Sequence, residues 1–339
     1  MKKKVLILTV IFLSIFLSYS IYFYLNKAQR SRQGQFQRNF VTPPKELLRK
    51  DLDPAGVYYF AGKDENSIWL GNEKAPLELL TIAIDKGFSV IGKTLPIRAS
   101  FERGQLAYVN YPFYIFINGR KRLVQSGMLT SSQPIHTDTI SLSFDVAGAA
   151  ADSAFWLRVS TDKGFQLGYY KLGHTLKETS ALTTRGLSAL SRDGILLYDE
   201  RMHLSAYVYF YRNSFLLFDK EGKASKAVNT IDTVSFAQVD LGKPDMKGTR
   251  RKNTSTQSIN YRADISNSYM YIYSRARTSA QADVNRDSIV IDAYAVNENR
   301  YVYSFLVLKK FNNEVIQDLR IVYPYIFLLV KTKVIILKM

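Results

Sequence analysis

From Gly56 onward, runs of four to nine apolar or aromatic residues alternate with short pieces rich in Gly, Asn, Asp and Lys. Long stretches of helical periodicity are scarce, so the pattern predicts an all-β domain. Residues 57–60, 68–70, 77–84 and 88–91 give four candidate strands within about forty residues, the size of one propeller blade. Next come 106–109, then 113–117 and 121–124 around Asn118-Gly119, a pair that marks hairpins because both turn residues take positive φ. Further sets are 154–159 with 165–172, then 204–211 with 214–218 and 223–231, then 269–273 with 289–296 and 301–308. The last is 320–330 with 334–337.

With Trp69, Phe113, Trp156, Val208, Tyr271 and Phe327 as centres of comparable strands, the separations are 44, 43, 52, 63 and 56 residues. A fainter repeat agrees: Asp138-Thr139-Ile140-Ser141-Leu142 returns as Asp232-Thr233-Val234-Ser235-Phe236, 94 residues later. Six such units fill residues 51–339, and the expected fold is a single six-bladed β-propeller, whose closure buries blade faces and protects sheet edges. A pair of β-sandwiches would also show many short strands, but the unit size favours blades. The apolar stretch 322–337 is broken by Lys331 and Lys333 into pieces too short to cross a membrane. It is expected to form a closing hairpin, completed by an early strand such as 57–60.

The first fifty residues read differently. Residues 1–4 form a basic end carrying Lys2, Lys3 and Lys4, and residues 5–25 carry no formal charge. As a helix the uncharged run spans roughly the 30 Å of a bilayer core. Tyr19, Tyr22, Phe23 and Tyr24 gather at its far end, where aromatic rings favour the lipid interface. The expectation is a single-pass inner-membrane signal anchor with the main domain periplasmic or extracytoplasmic. The rival is a cleaved signal peptide, with Ser18-Tyr19-Ser20 preceding the cut and a soluble periplasmic ligand-binding protein as the product. Residues 26–50 are polar and basic and contain Pro43-Pro44, the composition of a juxtamembrane linker that could also meet anionic lipid heads.

Charge and composition narrow the function classes. The chain of 339 residues is 47% hydrophobic with a formal net charge of +17, which by itself suggests nucleic acid as a partner. Residues 1–50 alone carry +9, so about half the excess flanks the apolar segment, where positive charge has a topological reading. Nucleic acid is therefore disfavoured. The absence of cysteine excludes disulfides, thiolate metal sites, Cys nucleophiles and lipid attachment through an N-terminal Cys.

Catalytic motifs are weak. His136, His174 and His203 stand 38 and 29 residues apart, without metalloprotease spacing, although propeller loops can gather distant residues. Gly186-Leu187-Ser188-Ala189-Leu190 only half matches a nucleophile elbow, and no phosphate-binding Gly-rich motif occurs. Asp283, Asn285 and Asp287 place oxygen ligands at alternate positions, as a calcium loop does. Ser288 and Tyr294 stand where an EF-hand needs Gly and Glu, so calcium is a weak candidate and a solvated turn the simpler reading. Lys243, Lys247, Arg250, Arg251 and Lys252 form the densest basic stretch, suited to an anionic partner or to solvent. Tyr207-Val208-Tyr209-Phe210-Tyr211 reads as packing between blades.

The strand-turn-strand units, with turns such as Phe218-Asp219-Lys220-Glu221-Gly222-Lys223, resemble bacterial extracytoplasmic six-bladed β-propellers of the TolB-like or NHL-like kind. The resemblance covers about residues 50–339 and implies the fold; no catalytic residue carries over from it. The expected role is a noncatalytic scaffold for an envelope protein or peptide. The alternative is an exported enzyme with a site assembled from dispersed loop residues.

Overall fold

The computed structural model describes residues 14–20, 36–97, 104–131, 134–151, 153–162, 164–174, 176–179, 182, 189–219, 223–233, 258–276, 287–311 and 314–339. Its strands form six four-stranded antiparallel sheets arranged as the blades of a propeller. The N-terminal strand, β1 (Lys45–Asp51), belongs to the last sheet. Blade 1 is β2 (Tyr58–Lys63), β3 (Ser67–Asn72), β4 (Glu78–Ala83) and β5 (Ser89–Thr94). Blade 2 is β6 (Gln105–Asn110), β7 (Phe113–Asn118), β8 (Leu123–Met128) and β9 (Pro134–Thr139). Blade 3 is β10 (Ser143–Ala149), β11 (Ala154–Thr161), β12 (Gly164–Lys171) and β13 (Lys177–Thr179). Blade 4 is β14 (Gly194–Asp199), β15 (Leu204–Tyr209), β16 (Ser214–Phe218) and β17 (Ala224–Asn229). Blade 5 is β18 (Asn260–Ser266), β19 (Tyr269–Ser274), β20 (Ser288–Ala295) and β21 (Arg300–Leu308). A small hairpin of β22 (Lys310–Phe311) and β23 (Glu314–Val315) leads to blade 6, which is β24 (Asp318–Val322), β25 (Tyr325–Val330) and β26 (Lys333–Lys338) with β1 outside.

The burial pattern explains why these sequences become these strands. Second strands lie between neighbouring blades and are buried on both faces, so they read as unbroken apolar runs such as Ala154-Phe155-Trp156-Leu157 in β11. Inner strands alternate buried and half-buried positions, as in β6, and the outer strand β5 is almost wholly exposed. The apolar residues form six clusters, each shared by two neighbouring blades, including one that joins blade 6 to blade 1. A ring without a gap follows from that last cluster.

Tyrosines stitch the inner strands together. The Tyr59 hydroxyl donates to the carbonyl of Ala107 at 3.0 Å and accepts from its N–H at 2.7 Å, tying blade 1 to blade 2. Burial pushes the Tyr59 hydroxyl far above its ordinary value. Tyr108, which faces blade 3, is pushed up to about 12, again chiefly by burial.

Two features correct the sequence reading. Ring closure uses β1, paired antiparallel to β26, and not 57–60, which supplies the inner strand of blade 1. The stretch read as linker therefore contributes a strand, and residues 36–41 before it also dock on the ring. Val41 N–H donates to the Ser304 carbonyl at 2.9 Å, and Ser304 N–H to the Asn39 carbonyl at 2.8 Å, so this arm adds a short parallel bridge to β21. Arg38 then enters blade 5, with Nε 2.7 Å from Asp292 Oδ1 and Nη2 2.9 Å from Asp292 Oδ2. Both side chains are fully buried.

The second correction concerns Asn118-Gly119. The hairpin exists, but Asn118 pairs with Leu123, leaving a four-residue turn in which Arg122 takes the left-handed conformation at φ 58°. Gly119 is needed for close approach, because a Cβ there would lie 1.8 Å from the Phe144 carbonyl oxygen. Residues 14–20 are helical, and among the described residues no helix is long and apolar enough to cross a membrane. Most of the expected span at 5–25 lies outside the described residues.

Candidate functional site

Each inner strand runs antiparallel to its second strand, so the loops that join these pairs gather at one mouth of the central channel. A cavity of about 60 Å³ opens there, lined by Lys63, Asp64 and Glu65 of blade 1, Tyr198–Arg201 of blade 4, Ser266 and Asn267 of blade 5, and Ile321–Tyr323 of blade 6.

The floor is rigid and neutral. Lys63 Nζ donates to Asp264 Oδ2 at 2.8 Å, to the Ile321 carbonyl at 2.9 Å and to the Ile265 carbonyl. These three bonds join blades 1, 5 and 6 at the bottom of the mouth. Asp264 Oδ2 also accepts from the Ile321 N–H at 2.6 Å.

The rim carries most of the exposed charge. Arg201 Nε lies 2.5 Å from Glu65 Oε1, a bridge across the mouth between blades 4 and 1. Asp64 accepts from the Asn66 N–H at 2.8 Å and from Trp69 Nε1 at 3.2 Å, and Asp199 accepts from the Met202 N–H at 3.0 Å. Glu200 is exposed but partly desolvated. Burial first, then the charges of Asp64, Glu65 and Asp199, hold its carboxyl above its ordinary value, with His203 opposing. Tyr198 Oη lies 3.4 Å from His203 Nδ1 at the same mouth.

Aromatic side chains stand beside the charges. Tyr323 is 53% exposed, its N–H held by Ser266 Oγ at 3.2 Å. Tyr111 is 47% exposed and stacks on Trp69 with ring centroids 6.2 Å apart. Because Asp64 holds the Trp69 indole, it also sets the shelf on which Tyr111 rests.

The residues singled out from sequence do not build this mouth, apart from His203. His136 Nε2 comes 3.1 Å from the Cβ position of Gly173, so His136 meets the turn that carries His174, while His203 sits on blade 4. All three are exposed. Among the described residues no group of three His, Asp or Glu side chains is placed to hold a metal ion. Asp287 is exposed at the start of β20, its carbonyl accepting the Lys309 N–H at 2.8 Å. Asp283 and Asn285 lie outside the described residues, as do Lys243, Lys247, Arg250, Arg251 and Lys252. Tyr207 and Tyr209 pack between blades 3 and 4, and Val208 between blades 4 and 5. The mouth escaped sequence reasoning because Glu65 and Arg201 are 136 residues apart and meet only through closure of the ring.

No protein-family model matches the sequence, and no curated protein matches it. Among solved structures, a member of the DUF4221 family from Bacteroides vulgatus aligns over 89% of this chain and 98% of its own, at 10% identity and a TM-score of 0.52. A catalytically inactive virginiamycin B lyase from Staphylococcus aureus, solved with quinupristin, aligns over 86% and 99%, at 10% identity and a TM-score of 0.49. At this identity the likeness to the DUF4221 protein shows the propeller fold alone.

Proposed function

We propose that this chain is a membrane-anchored, extracytoplasmic propeller that binds an envelope protein or peptide, without catalysis, at the inner-loop mouth of its channel. The size of the cavity carries the reading. About 60 Å³ holds a side-chain tip or a few waters, far less than the space that encloses a small-molecule substrate. Exposed Tyr111 and Tyr323 beside paired charges suit a protein contact, since tyrosine is enriched at such surfaces. The carboxylate excess around Glu200 fits a Lys or Arg tip entering the mouth. The uncharged run at 5–25 supports the anchor.

The test is crosslinking of the full-length protein in intact cells, with partners identified by mass spectrometry. A stoichiometric envelope partner, lost in Tyr323→Ala and Glu65→Lys variants that still fold, is the expected result. Capture that is indifferent to both substitutions would place the interface elsewhere.

One observation favours the exported-enzyme reading. A carboxyl with a raised pKa near a Tyr–His pair is a general acid–base arrangement. Under that reading Glu200→Gln abolishes rescue of a deletion strain while crosslinking persists; under the scaffold reading rescue follows crosslinking.

A further inference from the structure

The ring exposes its large apolar side chains unevenly. Between residues 36 and 339, ten of these are exposed among the described residues, and five sit on one arc: Phe40, Val41, Leu47, Leu308 and Val315. Phe40 and Val41 belong to the arm on β21, Leu308 ends β21, Val315 lies in the β22–β23 hairpin, and Leu47 occupies the bulge in β1. The Arg49 guanidinium lies 5.9 Å from the centre of the Phe311 ring, which ties β1 to the hairpin. β21 and β1 are the outer strands of neighbouring blades, so these side chains lie along the outer edges of blades 5 and 6.

Its net charge among the described residues is positive. Glu46 is matched by Arg49, Asp51 by Lys333 and Glu314 by Lys331, while one exposed acid, Asp287, stands beside Lys309 with no ion pair among the described residues. Lys45, Lys309 and Lys310 remain, with no acid paired to them among the described residues. Apolar side chains interspersed with free lysines are the composition of a surface that sits at a lipid headgroup boundary.

The chain's own route brings this arc to a bilayer. Ten residues, 26–35, separate the uncharged run from the arm, a reach of at most about 35 Å when extended. The arm docks on blade 5, and the first strand after it completes blade 6. We infer that the rim of blades 5 and 6 rests on the anionic bilayer that holds the anchor, so that the propeller lies on its edge. The channel axis then runs along the membrane and the inner-loop mouth stays open to a partner. This inference rests on the anchor reading of residues 5–25, and its test separates the two.

The chain has no cysteine, so single labels report one position each. Full-length protein carrying Leu308→Cys, Val315→Cys or, on the opposite blade, exposed Thr137→Cys is labelled with bimane. It is then reconstituted into vesicles of phosphatidylcholine with or without 30% phosphatidylglycerol, with headgroup spin-labelled lipid as quencher. Quenching at 308 and 315 several-fold above that at 137, in the anionic vesicles, is expected. Lys309→Glu with Lys310→Glu should cut the docked fraction about fivefold per lysine. Equal quenching at all three positions overturns the docking. Alkaline carbonate extraction reports the anchor separately. If the protein is released, the anchor reading fails, and the same quenching pattern on vesicles added from outside still decides the rim.

Discussion

Arg38→Ala should unmake more than a surface contact. Arg38 and Asp292 have side-chain exposures of 0% and 1%, and the guanidinium makes two bonds to the carboxylate and a third to Ser274 Oγ at 3.1 Å. Removing it leaves a buried carboxylate held only by Ser304 Oγ at 2.6 Å among the described contacts. Breaking one side of a buried pair costs about 3–5 kcal/mol. At about 2–3 °C per kcal/mol for a domain of this size, the midpoint should fall by about 6–15 °C. The assay is thermal and urea unfolding followed by circular dichroism, with fluorescence as a second probe of two-state behaviour. The double variant Arg38→Met, Asp292→Leu removes both charges and should be no worse than either single change, because the penalty is the orphaned charge. A loss below about 1 kcal/mol for Arg38→Ala, the value of a surface pair, would refute the burial of the arm in blade 5.

Other outcomes follow from the same geometry. Tyr59→Phe deprives the Ala107 N–H and carbonyl of their partner and should cost about 2 kcal/mol in urea unfolding. Gly119→Ala drives a Cβ into the Phe144 carbonyl and should destabilise by about 1–3 kcal/mol, whereas Gly92→Ala, whose nearest neighbour would be Leu80 Cδ2 at 3.8 Å, should be tolerated. Glu200 binds its proton more tightly in the folded state, so its share of stability is full below pH 4.5 and is lost as pH rises through the folded value. Glu200→Gln should therefore raise the melting temperature at pH 7, with the gain gone below pH 4.5. Deleting residues 1–51 removes the outer strand of blade 6 and should abolish cooperative unfolding, whereas deleting 1–35 should not.

The sequence was most legible where burial is two-sided. Trp69, Phe113, Trp156, Val208, Tyr271 and Phe327 all fall in the second strand of a blade, β3, β7, β11, β15, β19 and β25, because blades on both sides demand continuous apolar residues there. Inner strands β10, β14 and β18 left weaker traces: Ser143-Phe144-Asp145-Val146-Ala147-Gly148-Ala149 mixes small, polar and apolar residues. The closing strand β1 was hidden among charges, with Leu48 its one apolar side chain packed against the blade 6–blade 1 core. Arg38 read as one more tether cation, since its partner is 254 residues away. The long apolar run at 320–330 concealed the turn at Tyr323-Pro324 and, with it, the rim tyrosine of the mouth. In each case the missing information is a contact made by ring closure, which local patterning does not carry.

The most direct measurement on the binding reading is site-specific photo-crosslinking in living cells. A benzophenone amino acid is placed at Tyr323 or Tyr111 on the inner-loop mouth, and at Thr332, in the β25–β26 turn at the other face, as control. The predicted result is one discrete protein adduct from Tyr323 and Tyr111, absent from Thr332 and weakened by Glu65→Lys. An adduct from Thr332 alone, or none from the mouth while the protein is folded and membrane-bound, would contradict a protein-binding role for that mouth.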